Sequence, residues 1–452
     1  MIESVRNALA LPDLRRRIFY TVFLLVIYRL VSNIPVPGVD LVAWQQFTSG
    51  AFESSGLLDM LSLLSGGAVS NFSVMAMGVY PYITASIIIQ LLTPLIPQLE
   101  EMQQEGESGR NRINRITLYI TIPLALVQAI GQIQLIGSSV GSVEAIMPNY
   151  GFGNPATILP TLVTLISMVA GTMFAMWLGE LITDNGIGQG VSLIIFSGIV
   201  AVVPQNLLGI TALPDQTTRL FASIAFVVLT LVTVLVIVVV HEGQRRIPVQ
   251  YGRRVRGRKM YQGQSSHVPL KVNTAGMIPI IFANALLTLP ALLAQFFITP
   301  DGTGFVNRIA QGITNTLGGQ SGFIYYFIYF ILVAGFTFFY TDVMVQQQRI
   351  PATLQRQGGF IPGIRPGKRT ADYIMSVVRR ITLVGAVFLG IVAILPGIME
   401  GVGLLLRIPG IEQSALVING AGLIIVVGVV IDTMRQLEAQ LMMRHYEGFM
   451  RQ

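Results

Sequence analysis

The sequence contains no cysteine, which excludes disulfide staples and thiolate metal sites. Its three histidines, His241, His267 and His445, stand far apart in polar segments, so no metal-ligand cluster is spelled out and no cofactor is expected. Charge is scarce. Only 11% of residues are Asp, Glu, Lys or Arg, whereas an ordinary soluble domain carries about 25%. Acid is scarcer than base, with 22 acidic residues against 29 Lys and Arg. What fills the chain instead is apolar: 52% of the 452 residues are hydrophobic. Apolar runs recur along its whole length, and a membrane-crossing helix needs roughly 20 such residues. The composition therefore predicts an all-α, polytopic membrane protein.

Ten spans are expected, near residues 18–34, 74–97, 116–136, 157–181, 187–208, 220–240, 274–297, 323–341, 380–397 and 415–435. The first follows Arg15-Arg16-Arg17 but lacks a small-residue cleavage site, so it reads as a retained helix. Ahead of the second span lies a shorter apolar run, Leu57 to Leu64, that stops at Gly66-Gly67. It is too short to cross, and glycine lets the backbone turn after it. A short helix tucked against a spanning one is sheltered only by protein or a water-filled cavity.

Basic residues fix the orientation. All but four of the 29 Lys and Arg fall in residues 1–17, 98–115, 241–271, 342–380 and 435–452. The exceptions are Arg219, Arg308 and Arg407 on the other side, and Arg29 inside the first span. The positive-inside rule places both termini in the cytoplasm, which an even number of spans also requires. The segments are then a cytoplasmic start (1–17), a first half (18–208), an external connection (209–219), a second half (220–435) and a cytoplasmic tail (436–452). Two five-span halves joined outside have opposite topology, as in an inverted repeat. No repeat is visible in the sequence itself.

Two cytoplasmic loops, 241–271 and 342–378, are longer than a compact bundle needs. In the first, Ile247, Val249 and Tyr251 alternate, and Val255 and Tyr261 follow a basic turn, which predicts a two-stranded hairpin. The second contains FIPGIRPGKRT around Arg365. Basic loops of this kind set topology and bind anionic lipid; their length and Pro/Gly punctuation also suit docking to a large acidic or nucleic-acid-containing partner. Gly363, Gly367 and Lys368 echo a phosphate loop, but the spacing is too short. Gly186, Gly188 and Gly190 in DNGIGQG follow no strand and are better explained by close helix packing than by a dinucleotide.

Inside the spans ionisable residues are missing from the middle. Ion-coupled transport needs buried Asp, Glu, His or Arg, yet Glu180, Asp342 and Asp432 fall at span ends. The interior offers amides and hydroxyls, among them Thr84, Ser86, Gln90, Gln128 and Asn284, and many isoleucines. Each isoleucine alone reads as packing or lipid-facing. As a set they suit a hydrophobic constriction, which gates a pore by dewetting and excludes ions without charge.

Four stretches, SGGAVSNFSVMAMGVYPYITASIIIQLL, DNGIGQGVSLIIFSGIV, EGQRRIPVQYGRRVRGR with SSHVPLKVNTAGMIPIIFA, and IPGIRPGKRTADYI, resemble the SecY family, the channel subunits of the bacterial general protein translocase. The likeness runs from about Arg15 to Tyr446. It implies ten helices in two pseudo-symmetric inverted halves around an hourglass pore in the bacterial cytoplasmic (inner) membrane. The chain itself would be a passive channel and no enzyme, with ATP hydrolysis left to the partner SecA. It further implies a plug formed by residues 57–65, with Leu57, Leu58, Met60, Leu61, Leu63 and Leu64. The pore ring would be Ile83, Ile87, Ile195, Ile199, Ile281 (or Ile280 by a one-residue slip) and Ile425. The second and seventh spans would form a lateral gate carrying polar residues Gln90, Gln128 and Asn273. Arg365 and the basic hairpin residues Arg253, Arg254, Arg256, Arg258 and Lys259 would dock SecA and the ribosome, where rRNA phosphate attracts them. Further implied partners are SecE, SecG, signal sequences and unfolded secretory chains, besides anionic lipids. A secondary transporter and a lipid or polysaccharide flippase are the alternative readings; the charge-free interior disfavours the first and the large basic loops fit the second less well.

Overall fold

The computed structural model describes residues 9–44, 71–140, 143–151, 153–211, 216–251, 265–298, 304–318, 322–348, 350–398 and 420–450, with Arg6, Ser65, 67–69 and the short segments 254–256 and 259–261. The expected plug residues Leu57, Leu58, Met60, Leu61, Leu63 and Leu64, and the docking residues Arg253 and Arg258, lie outside the described residues. Helices dominate. In chain order they are α1 (Pro12–Val31), α2 (Tyr80–Leu92), α3 (Pro97–Gln104), α4 (Glu107–Val140), α5 (Pro155–Asn185), α6 (Gly190–Thr211), α7 (Gln216–Glu242), α8 (Ile278–Gln295), α9 (Phe305–Ile313), α10 (Phe323–Gln348), α11 (Ile350–Arg356), α12 (Lys368–Ala393) and α13 (Gly420–Met450). The strands are β1 (Gln244–Tyr251), β2 (Arg254–Arg256), β3 (Lys259–Tyr261), β4 (Ser265–Lys271) and β5 (Gly359–Phe360). Among the described residues, five helical stretches are long and apolar enough to cross a membrane, or six when α2 and α3, bent by 101° at the break between them, are counted as one span. The chain is thus a multi-pass membrane protein.

The second apolar run departs from the expected single helix over 74–97. Residues 74–79 form successive turns, and α2 begins only at Tyr80. Two residues explain the late start. Gly78 adopts φ +50°, outside the helical region, and Pro81 lacks the N–H that would continue a helix from upstream but suits a first turn. Ahead of these turns Pro35 and Ser73 form an antiparallel bridge. Phe72, with φ +40°, is the sole described non-glycine residue with positive φ. Its ring sits 5.0 Å from that of Trp44, and both are buried. Gly67, at φ +80°, supplies the turn expected after the short apolar run.

The chain divides into two compact units. The first comprises residues 1–219, 284–325 and 428–452. Within it α2 packs on α4, α4 on α5, and α5 on α6 and α1. The DNGIGQG turn joins α5 to α6 without room for side chains. A Cβ on Gly190 would strike the carbonyl oxygen of Gly179, and one on Gly186 would strike Thr21 Oγ1. Three side chains complete the turn's backbone bonds. Ile187 N–H donates to Thr21 Oγ1 (3.1 Å), Gly188 N–H to Gln436 Oε1 (3.0 Å) and Gly190 N–H to Thr183 Oγ1 (2.9 Å). Leu14, Ile187 and Leu437 close a small apolar cluster over it. These glycines serve close packing, as the sequence suggested.

The second unit comprises residues 220–283 and 326–427. Here both basic loops fold together. β1 pairs antiparallel with β4 from Gln244↔Lys271 to Gln250↔Ser265, and β5 adds to the other edge of β1 through Gln250↔Phe360 and Tyr251↔Gly359. The expected hairpin is therefore longer and differently paired. Val255 and Tyr261 belong to a separate tip ladder, β2 with β3, while the partner of the Ile247–Tyr251 strand is β4. Alternation placed Ile247 and Val249 on one face correctly; both are buried. With Leu270, Val345, Leu354, Ile361, Ile374, Val377 and Val378 they form one core. Fully burying an aliphatic side chain contributes about 1.5–3 kcal/mol, so this shared core is what makes two loops a single module.

Candidate functional site

In the first unit, Ile83 and Ile87 lie one turn apart on α2, and Ile195 and Ile199 one turn apart on α6. All four are buried. In the second unit Ile281 on α8 and Ile425 on α13 are buried, as is Ile280. Beside Ile281, Phe282 meets Phe336 edge-on at 5.9 Å and Tyr340 at 6.1 Å, which fixes the helix face locally.

A polar seam runs through the first unit next to Ile83. Thr84 Oγ1–H donates to Tyr80 O (3.0 Å), Gln128 Nε2–H donates to Thr84 Oγ1 (3.2 Å), and Tyr80 O–H donates to Ala285 O (3.2 Å). Thr288 Oγ1–H donates to Asn284 O (2.8 Å). All five side chains are buried. On the inner face of α4, Gln128 Oε1 and Gln132 Nε2, one turn apart, are buried without a hydrogen-bond partner among the described residues. Side-chain hydrogen bonds between membrane helices average about 0.6 kcal/mol each, so the seam orients its helices without locking them.

The three amides expected at a gate do not bond one another. Gln128 takes Thr84; Gln90 Nε2 donates to Ser86 Oγ on its own helix (3.1 Å); Asn273 closes a turn with Gly276, accepting from its N–H (2.9 Å) and donating to its O (3.0 Å). Tyr80, Thr288 and Gln132 went unnoticed in the sequence. Two signals were there: a tyrosine within an apolar helix seeks a partner for its hydroxyl, and Gln132 follows Gln128 at the i, i+4 spacing of one helix face.

Arg29, in the last turn of α1, lies against the Gly67 turn; a Cβ added to Gly67 would sit 3.5 Å from Nη1. Next to it Tyr28 O–H donates to Ser65 O at 2.8 Å. The first helix thus holds the chain where the short apolar run ends.

The basic module presents Arg365 outward. The IPGIRPG turn is pinned from below, because Ile361 is buried in the module core and Ile364 packs against it. Gly363 (φ +82°) and Gly367 (φ +111°) take the left-handed conformations the turn needs. Thr370 Oγ1–H donates to Arg365 O (2.9 Å), fixing the backbone while the arginine side chain stays exposed. Arg254, Arg256 and Lys259 stand on the tip strands β2 and β3. Arg245 and Arg246 are exposed on β1. Arg245, Arg246 and Arg365 are thus exposed on one ordered support.

The SecY family model matches residues 73–434. A protein translocase subunit SecY of Streptomyces galbus is 39% identical, with 100% of each chain covered. That of Mycobacterium tuberculosis is 38% identical, again with 100% of each covered. Among solved structures, a protein-conducting channel aligns with TM-score 0.61 at 18% identity, covering 94% of this chain and 91% of its own. Sec61 from a canine ribosome–channel complex aligns with TM-score 0.58 at 19% identity and the same coverage. At those identities the structures speak for the fold.

Proposed function

The chain belongs to the SecY family, and from that premise we propose how its residues divide the work of a protein-conducting channel in the bacterial cytoplasmic membrane. Ten helices cross the bilayer, in inverted halves 18–208 and 220–435 joined at 209–219, with both termini cytoplasmic. Ile83, Ile87, Ile195, Ile199, Ile281 and Ile425 form the ring that seals the pore, and residues 57–65 plug it from outside. The single observation that carries this reading is that all six isoleucines are buried in helices whose interior offers amides and hydroxyls rather than charge. Flexible aliphatic side chains close around an unfolded chain of any sequence and remain a poor path for ions. A ring of charges would hold some segments and reject others.

Hydrophobic segments leave sideways between the second and seventh spans. The interactions there are weak, at about 0.6 kcal/mol per hydrogen bond. Burying the roughly 20 apolar residues of a signal sequence exceeds that several-fold, so cargo opens its own gate. The ordered basic module, with Arg365 and the tip residues, docks SecA, which hydrolyses the ATP, and alternately the ribosome; one solved relative is itself seen bound to a ribosome. SecE and SecG complete the complex, and the basic loops also meet anionic lipid.

The test uses single cysteines at positions 83, 195 and 281 in this cysteine-free chain with a secretory protein stalled in transit. Crosslinks from all three to the stalled chain are expected. Crosslinks to lipid alone would place these residues outside the pore and favour a transporter or flippase.

A further inference from the structure

On α12, Asp372, Met375, Ser376, Arg379 and Arg380 line one open surface depression of about 470 Å³. Asp372, Ser376 and Arg380 follow one another at i, i+4 and i+8, so they stack on one helix face. Arg379 is engaged by Asp342 of α10 at 3.5 Å. The three stacked residues are exposed and make no hydrogen bond or ion pair with any described residue. The face then changes character abruptly. Beyond Arg380 it continues as Leu383, Val384, Val387 and Ile391, all exposed. A cation thus stands at the border between a polar turn and an apolar stripe, with a carboxylate two turns, about 12 Å, further from that stripe.

We infer that this face seats one phospholipid with a primary ammonium head, phosphatidylethanolamine. Side chains of a helix lean toward its N-terminus, so the guanidinium of Arg380 reaches from the apolar border toward Ser376. There it receives the phosphate, with Ser376 O–H as a second donor. Charge-assisted bonds from arginine to phosphate are the strong kind. The acyl chains lie along Leu383, Val384, Val387 and Ile391. The ammonium, on its short arm beyond the phosphate, meets Asp372 about one turn further out. Both charges of the head have a partner of opposite sign, in the order the lipid presents them when α12 crosses with its start in the cytoplasm. A purely anionic head would satisfy Arg380 and confront Asp372, and a choline head has no N–H to donate.

The full translocase, reconstituted in nanodiscs, tests this with three phospholipids that share one diazirine-bearing acyl chain and differ in head: ethanolamine, choline and glycerol. The readout is crosslink yield at Leu383–Val387, normalised to the yield at the exposed face of α7 around Leu231. Expected is a preference for the ethanolamine head, reduced about tenfold by Arg380→Gln, which removes a charged hydrogen bond. Asp372→Asn is expected to keep the crosslink and erase the preference among heads. Equal yields from all three heads on the unaltered protein would overturn the inference. So would an Arg380→Gln yield unchanged at α12, since the α7 reference reports independently that the variant is folded in the bilayer.

Discussion

Ile361→Ala separates the support of the PGIRPG turn from its surface. Ile361 is 4% exposed and sits in the core shared by the two loops, while Arg365, four residues on, points to solvent. The substitution removes three carbons, about 0.8 kcal/mol each in transfer terms. With the cavity left behind, Ile→Ala in a packed core costs about 2–5 kcal/mol. The Ile364 N–H bonds to Ile361 O at 3.0 Å, so local opening of the turn is read directly at that amide. A loss of about 2 kcal/mol speeds its hydrogen exchange roughly 30-fold when exchange is limited by the opening equilibrium. The second readout is affinity for SecA, the proposed partner at this turn, measured on the reconstituted complex. Ile361→Ala is expected to weaken it although no docking side chain has changed, whereas Ile361→Val, at about 0.5–1.5 kcal/mol, retains most of it. Arg365→Ala is expected to do the reverse: lost affinity with exchange at Ile364 unaltered. If Ile361→Ala left both exchange and affinity as they were, the claim that a shared core positions Arg365 would be wrong.

Three further outcomes are expected. Gly190→Ala forces a methyl into the Gly179 carbonyl and lowers the thermal unfolding midpoint, while Gly312→Ala, with nothing within 4 Å of its Cβ, leaves it unchanged or raises it by the helix propensity gained, up to about 1 kcal/mol. Phe72→Gly relieves the φ of +40°, about 1–2 kcal/mol, but forfeits a buried ring worth about 3–5 kcal/mol; denaturation is expected to show a net loss, and a gain would mean the Trp44 contact contributes little. Asn273→Leu removes both bonds to Gly276, about 1 kcal/mol each, and is expected to raise proteolysis ahead of α8, whereas Gln128→Leu, which loses the bond to Thr84, is expected to relax signal-sequence stringency in a translocation assay.

Much of this was legible in the sequence because the strongest signals are local. Apolar runs set most helices, and basic residues cluster in the segments between them. The DNGIGQG glycines were readable as packing residues because no strand preceded them. The alternation of Ile247 and Val249 announced a strand. What could not be read was partnership. The pairing of β1 with β5 joins Tyr251 to Gly359 across more than a hundred residues, and no periodicity records such a match. The segment 74–79 misled because its side chains are apolar enough for a span while its backbone, broken by Gly78 and followed by Pro81, is not helical. Nor could the bond each buried amide makes be read in advance, since Asn273 spends its side chain on its own turn.

The sheet that unites the two basic loops has a mechanical meaning. β1 leaves α7 and β4 leads toward α8, while α11 and β5 come between α10 and α12. The module is therefore rooted in four helices and cross-braced by its own core. A loop of some 37 loose residues would stretch before it moved anything. A braced handle has little slack, so a push delivered at Arg365 arrives at all four roots at once. It also follows that whatever grips one loop is already holding the other.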